Sequence, residues 1–196
     1  LFQREAAQFY LRNTNGIGGA DISFGYGVPG SSQILLMGDW NGDGIDTIGL
    51  FLPDASFFEL RNSNSEGMSD LAFGFGAPGA GWTPVVGDWN GDGIDTVGLY
   101  DPTTGMFYMR NSHTTGMADV AFPFGVPNNG WQPIVGDWNA DGIETAGFYQ
   151  PGDASHFYLR DTLDIGMADI SFGLGYAGVT PIVGDWVGPT GGALLA

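Results

Sequence analysis

The sequence predicts an all-β fold: four tandem repeats of about 49 residues, each supplying four short strands, in a β-propeller-like arrangement. Three observations predict it. The triplet Gly-Asp-Trp recurs at Gly38, Gly87, Gly136 and Gly184, spaced by 49, 49 and 48 residues. A second marker, Phe-x-[Leu/Met]-Arg, ends at Arg12, Arg61, Arg110 and Arg160. The third is strict alternation after a repeated Asp (Asp21, Asp70, Asp119, Asp169): Ile22, Phe24 and Tyr26 recur as Leu71, Phe73 and Phe75, as Val120, Phe122 and Phe124, and as Ile170, Phe172 and Leu174. Period two means a strand with one buried face. No stretch sustains a helical period.

The second copy illustrates the elements in order. Asp95 to Tyr100 reads as a strand, and Asp101-Pro102-Thr103-Thr104-Gly105 as a turn. Strands follow at Phe107 to Asn111, Ala118 to Phe124 and Gln132 to Trp138, separated by segments rich in Gly, Pro, Asn and Ser. Residues 1–196 are read as a single repeat domain with markers at 38–47, 87–96 and 136–145 and a degenerate one at 184–190. Four blades close into a small ring; the same units also stack as an open array, each burying its face against its neighbours. Leu1-Phe2 aligns with Leu50-Phe51, and Gly191 to Ala196 with the strand just before that point, so both ends fall within one repeat strand. In a ring, a strand from Gly192 to Ala196 pairs with Phe9 to Arg12. In an array it pairs with the next molecule. The sequence is compatible with both.

The most telling chemistry lies in the loop Gly87-Asp88-Trp89-Asn90-Gly91-Asp92-Gly93-Ile94-Asp95-Thr96, repeated as Gly38 to Thr47 and Gly136 to Thr145. Oxygen-bearing side chains at positions one, three and five, with Gly at six, suit a hard cation, and the carbonyl of position seven completes the curl. The candidate calcium ligands are Asp39, Asn41, Asp43 and Ile45; Asp88, Asn90, Asp92 and Ile94; and Asp137, Asn139, Asp141 and Ile143. The acids Asp46, Asp95 and Glu144 are further candidates, one position before Thr47, Thr96 and Thr145. The fourth copy, Gly184-Asp185-Trp186-Val187-Gly188-Pro189-Thr190, has lost positions three and five and is expected to bind nothing. The competing reading is a set of Asx turns without an ion. Carboxylates crowded into one bend repel one another, which favours the cation.

Composition narrows the function. With 196 residues and 43% hydrophobic, the chain builds a core without staples, and it contains no Cys. The net charge is −17, from 22 acids against five Arg and no Lys, which repels nucleic acid and anionic membranes. No stretch approaches the roughly 20 apolar residues of a membrane span. The chain starts at Leu1 without a signal-like segment, as a processed product or a part of a longer chain does.

The other repeated residues read as architecture. Arg12, Arg61, Arg110 and Arg160 each precede a repeated Asp by nine residues, which predicts cross-strand struts to Asp21, Asp70, Asp119 and Asp169. Trp40, Trp89, Trp138 and Trp186 are expected in the core. Trp82 and Trp131 occur in only two copies, beside Gly- or Asn-rich turns, and are the candidates for glycan stacking. His113 and His156 have no matching catalytic partner, and the clustered acids are already assigned to loops or Arg, so no enzyme is expected.

The loops leading into strands, together with Phe73-Gly74-Phe75-Gly76-Ala77-Pro78 and its relatives at Phe24 and Phe122, resemble the calcium repeats of the FG-GAP and VCBS type found in integrin-α-like propellers and bacterial surface proteins. The resemblance covers the chain at repeat level. It departs in placing Thr47, Thr96 and Thr145 where those repeats carry an acid, and in a shorter repeat. It implies three Ca²⁺ sites and a secreted, extracellular or cell-surface protein of bacterial type. The expected function is a non-enzymatic, calcium-stabilised structural or adhesive module. It would assemble head to tail with itself, as a fibril or surface-layer subunit, or bind a surface glycan or protein. The alternatives are a lectin-like glycan-binding propeller and an accessory domain of a secreted hydrolase.

Overall fold

The structure is a computed structural model that describes residues 1–184 and 194–195. It is all-β apart from one short 3-10 turn at Arg4–Ala6. The first sheet contains β1 (Phe2–Gln3), β2 (Gln8–Leu11) and β3 (Ile22–Gly25). Three four-stranded sheets follow. The second sheet is β4 (Ile34–Gly38), β5 (Thr47–Leu52), β6 (Phe57–Leu60) and β7 (Leu71–Gly74). The third is β8 (Thr83–Gly87), β9 (Thr96–Asp101), β10 (Met106–Met109) and β11 (Val120–Pro123). The fourth is β12 (Gln132–Gly136), β13 (Thr145–Gln150), β14 (His156–Leu159) and β15 (Ile170–Gly173). Last come β16 (Val183–Gly184) and β17 (Leu194–Leu195). Every sheet is an antiparallel meander in chain order.

The expected strands are present, but they group differently. Gln132–Gly136 opens the fourth sheet and does not close the third. The acidic loop is a short hairpin connection, with Gly87 opposite Thr96 and Gly136 opposite Thr145, so the strand before it and the strand after it belong together. The ring alternative pairs Gly192–Ala196 with Phe9–Arg12, and most of that strand lies outside the described residues. Of that strand only Leu194–Leu195 is described, and it pairs with β16. The edge of β2 at Gln8 and Phe9 is taken by Gln3 and Phe2.

The second, third and fourth sheets are each laced across their last three strands by a ladder of rings in register. Phe51, Phe58 and Phe73 step across the second sheet with centroids 4.6 and 5.5 Å apart. Tyr100, Phe107 and Phe122 do the same at 4.8 and 5.6 Å, and Tyr149, Phe157 and Phe172 at 5.1 and 5.3 Å. Such cross-strand aromatic pairs add roughly 0.5–1.5 kcal/mol each beyond burial. Neighbouring sheets meet through their first strands, β4 against β8, β8 against β12 and β12 against β16. Trp40, Trp89 and Trp138 are buried as expected. A Cβ on Gly49 would lie 2.7 Å from Leu60 and 3.0 Å from Trp40, so this mid-strand glycine makes room for the indole. Trp186 and the degenerate loop after Gly184 lie outside the described residues. Among the described residues no helix is long and apolar enough to cross a membrane.

Candidate metal centre and the clamp between repeats

Within the first loop, from Gly38 to Thr47, the side chains turn inward and organise the backbone. Asp39 Oδ1 accepts from the N–H groups of Gly42 and Asp43 at 2.8 and 3.1 Å, and Oδ2 from that of Gly44 at 2.7 Å. Asn41 donates its amide to Asp43 Oδ2 at 3.0 Å, while Asp43 Oδ1 accepts from the Ile45 N–H at 2.9 Å. Gly42 and Gly44 have φ of +72° and +82°, a left-handed curl that glycine adopts without steric penalty.

The second loop repeats this with Asp88 bonded to Gly91 and Gly93 at 2.8 and 2.7 Å, and with Asn90 and Asp92 2.9 Å apart. In the third, Asp137 accepts from Gly142 at 2.9 Å and Asn139 stands 2.9 Å from Asp141. There Ala140 takes the curl at φ +60°. Two carboxylates and an amide therefore converge in every loop, a donor set that fits a hard divalent cation. Four backbone N–H groups, led by Gly44, outweigh burial and hold the Asp39 carboxyl below the usual range.

The acids at loop position eight turn away from their own loops. Asp95 accepts from the Asp39 N–H at 2.8 Å, and its own N–H donates to the Asp39 carbonyl at 2.9 Å. Glu144 makes the same reciprocal pair with Asp88, at 2.9 Å in both directions. Asp46 is exposed. The loops also touch directly: Ile94 lies over Gly42, and Ile143 over Gly91, where an added Cβ would stand 3.1 and 3.3 Å from the isoleucine. The three loops thus form a continuous column, each clamped to the preceding one by an acid 56 residues later in the chain. Burial pushes the Glu144 carboxyl up to about 7, with Asp95, Asp88 and Asp137 adding to it against the favourable Asp88 N–H. Burial also raises Asp95.

Thr47, Thr96 and Thr145 face the interior of the sheet. Their hydroxyls donate to the carbonyls of Arg61, Arg110 and Arg160 at 2.6, 2.7 and 2.6 Å. Strand alternation explains the split: the acid faces one side, and the Thr after it the other.

The repeated arginines cap their own hairpin loops. Arg110 donates to the Met117 and Thr114 carbonyls and to the hydroxyls of Ser112 and Thr114. The expected struts form at Arg160–Asp169, 3.0 Å, and Arg110–Asp119, 3.3 Å, and are looser at Arg61–Asp70, 3.9 Å. The expected strut between Arg12 and Asp21 is absent. The exposed Arg12 bonds instead to Gly19 and Thr14, and Asp21 accepts from the Asn13 N–H.

Trp82 and Trp131 are half-buried, each with one face on a tyrosine: Trp82 on Tyr108 at 5.0 Å and 10°, Trp131 on Tyr158 at 4.7 Å and 7°. Each also packs against the apolar cluster shared with the neighbouring sheet. His113 reaches the preceding sheet, with Nε2 3.1 Å from the Trp40 carbonyl and the ring between Trp40 and Phe73. The aligned residue Leu163 packs into the next sheet junction, so this position plugs the joints between repeats. The clamp formed by Asp95 and Glu144 was not readable from spacing, because its partner lies a full repeat upstream. The one available signal was the recurrence of an acid just before a Thr.

No known protein family and no curated protein matches the sequence.

Proposed function

We propose that this chain is a non-enzymatic repeat module of an extracellular or cell-surface protein, its sheets held in line by calcium in the three loops. The observation that carries this reading is the column of stacked loops. At the first joint Asp95 bonds to Asp39 with Asp46 and Asp88 near it, and at the second Glu144 bonds to Asp88 with Asp95 and Asp137 near it. Asp39, Asn41 and Asp43, and their counterparts Asp88, Asn90 and Asp92 and Asp137, Asn139 and Asp141, would hold the ions. A bound divalent cation supplies positive charge where these carboxylates crowd, and its binding energy becomes stability of the joints. The strand-to-strand contact of successive sheets supports a propeller-like course of blades. The overall charge of −17 keeps nucleic acid away and leaves copies of the same chain, linked through calcium, or a surface glycan or protein as partners.

Calorimetric titration of demetallated protein with Ca²⁺, alongside thermal unfolding in Ca²⁺ and in chelator, tests the reading. The expected result is binding in the described loops and a melting temperature several degrees higher with the ion. Identical melting curves after thorough demetallation, with no heat on titration, would overturn it. Negative-stain microscopy in millimolar Ca²⁺ then separates discrete rings from filaments.

A further inference from the structure

At one joint the repeat changes character at four aligned positions together. Between the second and third sheets these positions form an apolar cluster of Phe75, Trp82, Tyr108 and Ala118. Between the third and fourth they form another, of Phe124, Trp131, Tyr158 and Ala168. Between the first and second sheets the same positions hold Tyr26, Gln33, Glu59 and Ser69. Phe has gained a hydroxyl, the Trp–Tyr stack has become Gln and Glu, and Ala has become Ser. The stack is replaced by a cleft of about 500 Å³, lined by Tyr26, Glu59 and Ser69 with Val28, Pro29 and Met68.

The cleft is built, not merely loosened. Tyr26 is only 7% exposed, yet its hydroxyl has no hydrogen-bond partner. Ser69 stands beside it, and burial, with Glu59 next in size, pushes the phenol up to about 12. A buried unpaired hydroxyl is unfavourable where Phe serves at the other two joints, unless something else bonds to it. The rim is fixed from behind. Gln33 Oε1 accepts from the Val28 N–H and the Ser31 hydroxyl, both at 2.9 Å, and Arg4 holds the carbonyls of Ser31 and Gln33 at 2.9 and 3.0 Å.

We propose that this cleft binds a neutral sugar of one or two rings. Its polar groups are one carboxylate and two hydroxyls, with no basic side chain in the lining, so anionic ligands are disfavoured. Adjacent sugar hydroxyls donate to Glu59 and bond with Tyr26 and Ser69, while C–H faces rest on Val28, Pro29 and Met68. The site is independent of Trp82 and Trp131 and of whether the loops hold calcium.

Saturation-transfer NMR and calorimetry at constant Ca²⁺, with glucose, galactose, mannose, N-acetylglucosamine and their disaccharides, test this, with spermidine as a cationic probe. At least one sugar is expected to bind saturably to the unaltered chain. Tyr26→Phe, which installs the residue of the other joints, is expected to weaken binding at least tenfold. The double variant Gln33→Trp, Glu59→Tyr rebuilds the stack, and is expected to abolish binding while the melting temperature holds or rises. Binding by none of the sugars, binding by spermidine alone, or sugar affinity unchanged in Tyr26→Phe would each overturn the proposal.

Discussion

The clamp between the second and third loops makes a quantitative demand on Glu144. Its carboxyl titrates near 7 in the folded chain, against an ordinary value of 4.5, because it is buried among other acids. An unfolded chain ionises this group first. The associated stability is therefore full below pH 4.5 and is lost progressively as the pH rises to about 7. A shift of this size corresponds to at most about 3 kcal/mol. In Glu144→Gln the side-chain oxygen still accepts from the Asp88 N–H, but there is no charge to bury. In chelator, the variant and the unaltered chain should have similar stability at pH 4.5. By pH 8 the variant should be more stable by up to about 3 kcal/mol, roughly 6–12 °C in melting temperature for a chain of this length. Urea unfolding followed by circular dichroism between pH 4.5 and 8 measures the difference directly. Added Ca²⁺ should then stabilise the unaltered chain more than the variant at pH 8. A stability difference that stays flat across this pH range would refute the account of a buried, charge-crowded clamp.

The capped hairpins predict a contrast between two arginines at one repeat position. Arg110→Ala strips a buried guanidinium from two carbonyls, two hydroxyls and Asp119, and should cost about 2–4 kcal/mol in urea unfolding. Arg12→Ala removes exposed bonds and no ion pair, and should cost less than about 1 kcal/mol. His113 gives a prediction on the acid side. Burial holds its imidazole below the ordinary 6.5, against the Trp40 carbonyl and Asp92, so the stability of the neutral ring is lost as the pH falls below 6.5. His113→Leu, which copies Leu163, should flatten the loss of stability between pH 6.5 and 5; an unchanged slope would show that the ring is not the source.

The repeat, the strands and the inward curl of each loop could be read from the chain because they are local. Alternation from Leu71 to Phe75 places one face in the core, and Asp39, Asn41 and Asp43 bond almost wholly within their own ten residues. The contacts between repeats could not be read that way. Asp95 looks like part of its own loop until the preceding loop is placed beside it. Arg12 matches Arg110 in sequence, but the half-buried start of the loop at Asn111, Ser112 and His113 has no equivalent around Arg12, whose hairpin from Asn13 to Ala20 is exposed throughout. The substitutions at Tyr26, Gln33, Glu59 and Ser69 are scattered along 44 positions, and acquire a common meaning only when two sheets face each other.

If the loops hold calcium as proposed, their column also predicts how the ions interact. Were each loop an isolated cage, Ca²⁺ would bind at three independent sites of similar strength. Here the backbone of Asp39 is held by Asp95 and that of Asp88 by Glu144, so ordering one loop orders the edge of the next. The second loop touches both of the others, through Ile94 over Gly42 and through Gly91 under Ile143. Coupling of only about 1 kcal/mol per joint changes a neighbour's affinity roughly fivefold, and by linkage the effect runs in both directions. Asp92→Asn keeps an acceptor for the Ile94 N–H but removes a charge from the middle loop. It should weaken Ca²⁺ binding at both flanking loops as well as its own and make the titration less steep. Asp43→Asn, at the end of the column, should disturb only its own site and that of Asp88. Titrations that fit independent sites in the unaltered chain, with each substitution silencing one site and leaving the others untouched, would show that the loops stack without communicating.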